Sequence, residues 1–156
     1  AVAVVNKVYL PYRAALSFNL RHYQDSWDIR ALDAEMEYVH PLTQHWTLEG
    51  KLRWYSQGQA DFYRDLFDFA SQQNFMARDK ELSEFNNLTL GIGASYALPV
   101  WGFWPEATPE LTLQWDHIRF NYKNFRNVTV TDAEAGLEPL YRLDANVIRA
   151  FFSLYF

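Results

Sequence analysis

Polar and apolar residues alternate with a period of two in one segment after another, the pattern of a β-strand with one apolar face, because successive side chains leave opposite sides of the pleat. At the end of the chain, Ile148, Ala150, Phe152, Leu154 and Phe156 share one face, and Val147, Arg149, Phe151, Ser153 and Tyr155 the other. Between Arg13 and Tyr23, the set Ala14, Leu16, Phe18 and Leu20 opposes Ser17, Asn19 and Arg21. From Ile29 to Val39, Leu32, Ala34, Met36 and Tyr38 oppose the carboxylates Asp33, Glu35 and Glu37. Trp46 to Tyr55 sets Trp46, Leu48, Gly50, Leu52 and Trp54 against Thr47, Glu49, Lys51 and Arg53. Leu88 to Tyr96 sets Leu88, Leu90, Ile92, Ala94 and Tyr96 against Thr89, Gly91, Gly93 and Ser95. Glu110 to Tyr122 starts with Leu111, Leu113 and Trp115 on the apolar side, but Ile118, Phe120 and Tyr122 then fall one residue out of phase. That slip predicts a β-bulge near Asp116 or His117. Ala1 to Leu10 is apolar and β-branched and completes a set of seven predicted strands.

The pattern predicts an all-β fold, an antiparallel transmembrane β-barrel. A water-soluble sandwich or lipocalin-like barrel would also alternate, with its apolar face inward. Three features favour the membrane form: dense charge on the polar face of 29–39 and 46–55, an apolar face nearly free of charge, and aromatic residues gathered toward strand ends. The connections near Leu10-Pro11, Pro41 to Gln44 and Pro99 to Pro109 read as short periplasmic turns; the segments 57–87 and 123–143 read as long external loops. Trp46, Trp101, Phe103, Trp104 and Phe156 then fall toward the periplasmic rim, and Tyr23, Trp27, Trp54 and Tyr122 toward the outer one, as two aromatic girdles. Single-chain bacterial barrels have an even number of strands with both termini inside, so seven strands ending in the periplasm imply at least one more before Ala1. Residues 1–156 are therefore expected to be one domain, the C-terminal portion of a larger even-stranded barrel in the bacterial outer membrane, in contact with outer-membrane lipid and lipopolysaccharide.

Composition sharpens this picture. The 156 residues include 6 Trp, 10 Tyr and 12 Phe, about twice the usual aromatic content. There is no cysteine, which excludes disulfides, thiolate metal sites and a cysteine nucleophile. The net charge is -5 and the 14 Lys and Arg are scattered, so no face for nucleic acid is present. Apolar runs are far shorter than the ~20 residues a membrane helix requires. Ala1 to Tyr9 has neither the charged start nor the cleavage site of a signal peptide.

The short turn at Pro41 makes the segments 29–39 and 46–55 antiparallel neighbours, which predicts a charged ladder inside the barrel. The expected lumen residues are Arg21, Asp33, Glu35, Glu37, Glu49, Lys51, Arg53 and Arg149. Such a ladder fills and hydrates a lumen, or biases which solute passes. His40 and His45 flank one turn without a third ligand, so no metal is expected. Ser17, Ser95 and Ser153 have no histidine at a neighbouring position, so no catalytic residues, enzyme activity or cofactor are expected. In the long loop, Phe62, Tyr63, Leu66, Phe67 and Ala70 recur at the spacing of a short amphipathic helix, whose other face would leave Asp61, Arg64, Asp65 and Asp68 in solvent. The helix could plug the barrel, pack on its rim or dock a protein partner.

Residue runs in and around this loop carry a family resemblance. The run Arg53-Trp54-Tyr55-Ser56-Gln57 followed by Ala60-Asp61-Phe62-Tyr63 resembles the most recognisable motif of domain-of-unknown-function family 3570, a group of bacterial proteins. His22 to Trp27 with Glu35 and Pro41-Leu42 resembles the strand, loop and strand on the N-terminal side of that motif, and Asp79, Leu82 and Phe85 resemble the segment on its C-terminal side. Leu32-Asp33 stands where the family pattern has a His-Thr pair. The resemblance marks Tyr55, Gln57, Asp61, Phe62 and Tyr63 as a loop motif and implies a longer chain with further N-terminal strands, but it implies no activity. The ending Arg149 to Phe156 is similar both to that family and to the C-terminal signal of outer-membrane barrels. Phe152, Leu154 and Phe156 would present that signal to the barrel assembly machinery. Two functions remain open: a passage or binding barrel for a small solute with a charged lumen, and a plugged structural barrel that docks a partner through loop 57–87.

Overall fold

The computed structural model describes residues 1–99, 107–134 and 136–156. Each segment of alternation forms a strand: β1 Val2–Tyr9, β2 Ala15–Gln24, β3 Arg30–Pro41, β4 Trp46–Gln57, β5 Phe85–Ala97, β6 Thr108–Arg126 and β7 Leu140–Tyr155. They form one sheet in chain order, each strand antiparallel to the next. Among the described residues there is no α-helix, and β1 and β7 do not pair with each other, so the sheet is not closed. Trp101, Phe103 and Trp104, expected at one rim, lie outside the described residues.

Short polar residues make the tight connections. Asp25 accepts the backbone N–H groups of Trp27 (2.9 Å) and Ile29 (3.1 Å), an Asx-type turn that reverses β2 into β3. Asp28 takes the left-handed conformation there, with φ 59°. Thr43 Oγ1 accepts the N–H groups of His45 (3.1 Å) and Trp46 (3.0 Å) in the β3–β4 turn. The β6–β7 ladder outruns its predicted length, and the connection expected over 123–143 shrinks to 127–139.

The register carries the alternation through the sheet. Ser17, Glu37 and Lys51 stand in one row, and Arg21, Asp33 and Tyr55 in another, so the polar sets of adjacent strands share one face. The opposite, apolar face is open: Leu90 is 50% exposed, Ile92 64%, Leu113 56% and Ile148 72%. Among the described residues the buried hydrophobic ones are the small Ala14, Ala31 and Ala107, a cluster of Ile29, Ala60 and Tyr63 at the long-loop end, and the pair Phe85 and Tyr122 on the polar face.

The expected bulge at Asp116 or His117 is absent. Gly91, Leu90 and Thr89 pair with Asp116, His117 and Ile118 in unbroken register, and the ladder to β7 is equally regular there. The irregularity lies between Asn121 and Arg126. Instead of the strand correcting its phase, the two faces exchange character. Ile118, Phe120 and Tyr122 continue the charged face, while His117 and Arg119 continue the apolar one, beside Asp144 and Asn146 of β7. Arg119 Nε donates to Asp144 Oδ1 (2.7 Å), and His117 Nδ1 lies 3.1 Å from Asn146 Oδ1. Tyr122 thus sits at the predicted end of its strand but inside the sheet's polar face and 6% exposed, so it does not belong to an outward girdle.

Candidate functional site

All eight charged residues expected to line a lumen, Arg21, Asp33, Glu35, Glu37, Glu49, Lys51, Arg53 and Arg149, lie on one face. Their pairing is not the one that opposite positions would give. Glu35 faces Arg53 and Glu37 faces Lys51 in register, yet neither glutamate makes an ion pair among the described residues. Arg53 reaches diagonally to Asp33 with two parallel bonds, Nε to Oδ1 (2.9 Å) and Nη2 to Oδ2 (2.8 Å), and Arg21 adds a third at 2.9 Å. The planar guanidinium favours such a fork on one carboxylate over a single contact across the strand.

Lys51 crosses β5 to Asp116 on β6 (2.9 Å), and Arg149 of β7 also binds Asp116. This second clamp depends on Gly91. A Cβ there would overlap the Asp116 carboxylate and press on Lys51 Cε at 3.0 Å. At Gly93 the next row is bridged in the same way, with Gln114 Nε2 donating to Glu49 Oε2 (3.1 Å). The two missing side chains open a trough of about 180 Å³ lined by Glu37, Glu49, Lys51, Gln114, Asp116 and Arg149. Asp116, Gln114 and the glycine pair are the members that sequence reasoning missed. The Gly-x-Gly on a polar strand face was the available signal, since glycine inside a strand marks close approach of neighbours. Each aspartate is held by two cations, whereas among the described residues Glu35, Glu37 and Glu49 have no cation within ion-pair distance.

The long loop contains no helix over Phe62 to Ala70. It is an irregular strap with one isolated bridge, Tyr63 to Ala77, and a 3-10 turn at Lys80–Leu82. The helical spacing is overridden because tertiary contacts claim residues on both expected faces. Tyr63 is 1% exposed and donates its hydroxyl to Asn124 O (3.0 Å). Burial, with the Asp65 carboxylate nearby, pushes its phenol from 10.0 up to about 12. Asp65, expected in solvent, is buried. It accepts from Arg78 (3.0 Å) and Arg126 (2.9 Å), which fastens the strap to the end of β6. Leu66 and Phe69, by contrast, are 50% and 63% exposed.

The loop motif is mostly fastening. Tyr55 donates its hydroxyl to Gln57 Oε1 (2.8 Å), and Gln57 Nε2 donates to Glu81 O (2.8 Å) and Ser83 O (3.0 Å). Both residues are on the charged face, so the end of the strap lies over that face. Asp61 N–H donates to Trp27 O (3.0 Å), joining the strap to the β2–β3 turn, and Phe62 meets Trp27 edge-on at 5.4 Å. Phe152 and Leu154 lie on the apolar face where β7 ends, and Phe156, just beyond the strand, is 93% exposed.

Ser95 Oγ is 2.8 Å from Thr112 Oγ1, with no histidine in the pair. His40 Nδ1 lies 3.1 Å from the Tyr38 hydroxyl, and His45 Nδ1 lies 3.0 Å from Ala97 O. Among the described residues no three His, Cys, Asp or Glu side chains gather as a metal site would need.

In comparison with known proteins, residues 1–102 match a family model described as protein of unknown function (DUF3570). No curated protein and no solved structure matches the chain.

Proposed function

Starting from a chain that belongs to the DUF3570 family of proteins of unknown function, we propose that it forms part of a β-barrel in the bacterial outer membrane, one that passes or binds a small solute along its charged face. The observation that carries the reading is the inversion of exposure. The apolar face lies open across the sheet, while the opposite face holds paired charges, with Asp116 side chain 8% exposed and Asp33 12%. A water-soluble sheet buries its apolar face; lipid reverses the requirement.

The exchange of faces in β6 supports the same reading. On β4 the outward apolar band extends to Trp54, which is in row with Leu88 and, one strand further, Arg119. On β6 the band already ends at Trp115, four residues before Arg119. A band that slides along successive strands is what a membrane plane cuts from tilted strands, and barrel strands tilt by about 35–45°. Beyond the band β6 and β7 stand in water, where outward Arg119 and Asp144 pair, inward Phe120 and Tyr122 both pack on Phe85, and Tyr141 packs on Tyr122. β1 and β7 run in the same direction, so closing an antiparallel barrel requires an odd number of further strands and gives the even total expected of outer-membrane barrels.

In this reading lipid and lipopolysaccharide surround the apolar face, the assembly machinery engages β7, and the lumen needs no enzyme chemistry. The glutamates without cations, beside a floor opened by two glycines, make the charged face a path for a small solute rather than a closed packing layer.

The absence of cysteine from these 156 residues provides a direct test. Single cysteines at Leu113 and Ile148 should react with membrane-partitioning maleimides and resist water-soluble ones, while cysteines at His117 and Asp144 should react with both. Equal labelling of Leu113 and His117 positions by the water-soluble reagent would defeat the membrane placement. Conductance tests passage. The whole protein in a planar bilayer should carry current that rises when 58–84 is replaced by an Asn-Gly turn. A pore closed in both forms would instead favour the plugged, partner-docking barrel.

A further inference from the structure

We propose that the cleft between the β2–β3 turn and the long strap binds a neutral saccharide. Its walls are Trp27, Phe62 and Phe75, and its edges carry Asp61, Gln73 and Asn74 around a space of about 530 Å³. Trp27 is 51% exposed and Phe75 74%, so both rings present open faces to the cleft. The rings stand at fixed angles, Trp27 to Phe62 at 76° and Phe62 to Phe75 at 56°, with centroids 5.4 and 6.4 Å apart. The backbone holding them is tied, since Asp61 N–H donates to Trp27 O (3.0 Å) and Gln73 Nε2 to Phe62 O (2.9 Å). The cleft is therefore formed before any ligand arrives.

A sugar ring matches this lining in shape and in polarity. Its C–H face is weakly positive and packs on the negative face of an aromatic ring, by the same electrostatics that favour edge-to-face aromatic pairs. Its hydroxyl edge needs acceptors and donors beside that ring, which a carboxylate and two amides supply. A phosphorylated or acidic ligand is disfavoured, because Asp61 is the one ionisable group among the described lining residues. A purely apolar side chain would leave that carboxylate and those amides against hydrocarbon. The volume lies within the range of small-molecule pockets and accommodates a disaccharide. The site lies on the loops and goes beyond the reading of the charged face, so the two can fail independently.

The test uses the whole protein in a detergent without a sugar headgroup. Saturation-transfer NMR is recorded with maltose and cellobiose as neutral probes and glucose 6-phosphate as the anionic one. At least one neutral disaccharide should bind with Kd on the order of 1 mM and weaken about tenfold in Phe75→Ala and in Trp27→Ala. Phe75 is mostly exposed, so its replacement leaves the fold in place, and Trp27→Phe should retain most of the binding. No transfer to either neutral probe at about 50 mM, far above that Kd, overturns the proposal. So does unchanged binding in Phe75→Ala, a preference for glucose 6-phosphate, or displacement of the disaccharide by an apolar Leu-rich peptide at lower concentration. Conductance of the same preparation reads the barrel proposal separately.

Discussion

Gly50 and Gly91 sit on neighbouring strands and opposite faces, and a methyl group has opposite consequences at each. At Gly91 the added Cβ meets Asp116, itself held by Lys51 and Arg149, so the collision falls on a carboxylate that cannot swing away. Gly91→Ala should cost about 1–3 kcal/mol of unfolding free energy, read as a lower denaturation midpoint in detergent. At Gly50 nothing lies within 4 Å of the added atom. Gly50→Ala should be neutral or stabilising by up to about 1 kcal/mol, from the smaller entropy of the unfolded chain. Equal effects at the two positions would show that the trough does not depend on Gly91. The sequence revealed Gly91 as a polar-face residue; that Lys51 reaches over it to a strand 65 residues away depends on β5 lying between β4 and β6.

At the scale of elements, the strap is the part whose stability should respond to pH. The Tyr63 phenol is raised from 10.0 to about 12 in the folded strap. A raised folded value means that its contribution is fully present below pH 10 and is lost as pH climbs toward 12, because the opened strap ionises first. Proteolytic nicking at the neighbouring exposed residues should therefore accelerate between pH 10 and 12, and Tyr63→Phe should flatten that dependence. The same assay reads the Asp65 latch. Asp65→Asn removes the charge shared by Arg78 and Arg126 and should weaken the strap by about 2–3 kcal/mol locally. Nicking should speed up at neutral pH while the strand ladder stays intact by far-UV circular dichroism. An unchanged rate would mean that the latch does not hold the strap closed. The spacing of Phe62, Tyr63 and Leu66 suggested a helix here because periodicity reports only the chain's own preference. What decided the strap were partners on β6, Asn124 and Arg126, which local spacing does not encode.

For the whole molecule, the balance of charge on the polar face is what a permeating ion would meet. Each aspartate clamp carries one net positive charge and Lys7 adds another on the same face, while Glu35, Glu37, Glu49 and Glu110 supply the negative ones that outweigh them. If the face lines a pore, wild type should prefer cations, and the combined change Glu35→Gln, Glu37→Gln and Glu49→Gln should lower the cation-to-anion permeability ratio severalfold and push it toward anions. Reversal potentials in a salt gradient measure this, and an unchanged ratio would remove the polar face from the path.

The seven strands, the division into a polar and an apolar face, and the eight charges on one side were determined by the sequence alone. The pleat turns every second residue the same way whatever surrounds it. The tertiary structure alone decided which charges bind each other, since Arg53 prefers a diagonal carboxylate and Lys51 one two strands away. It alone also decided that β6 keeps its register through Asp116 and His117. The alternation in the sequence changes phase at that point while the backbone register does not, so the two faces exchange character without a bulge.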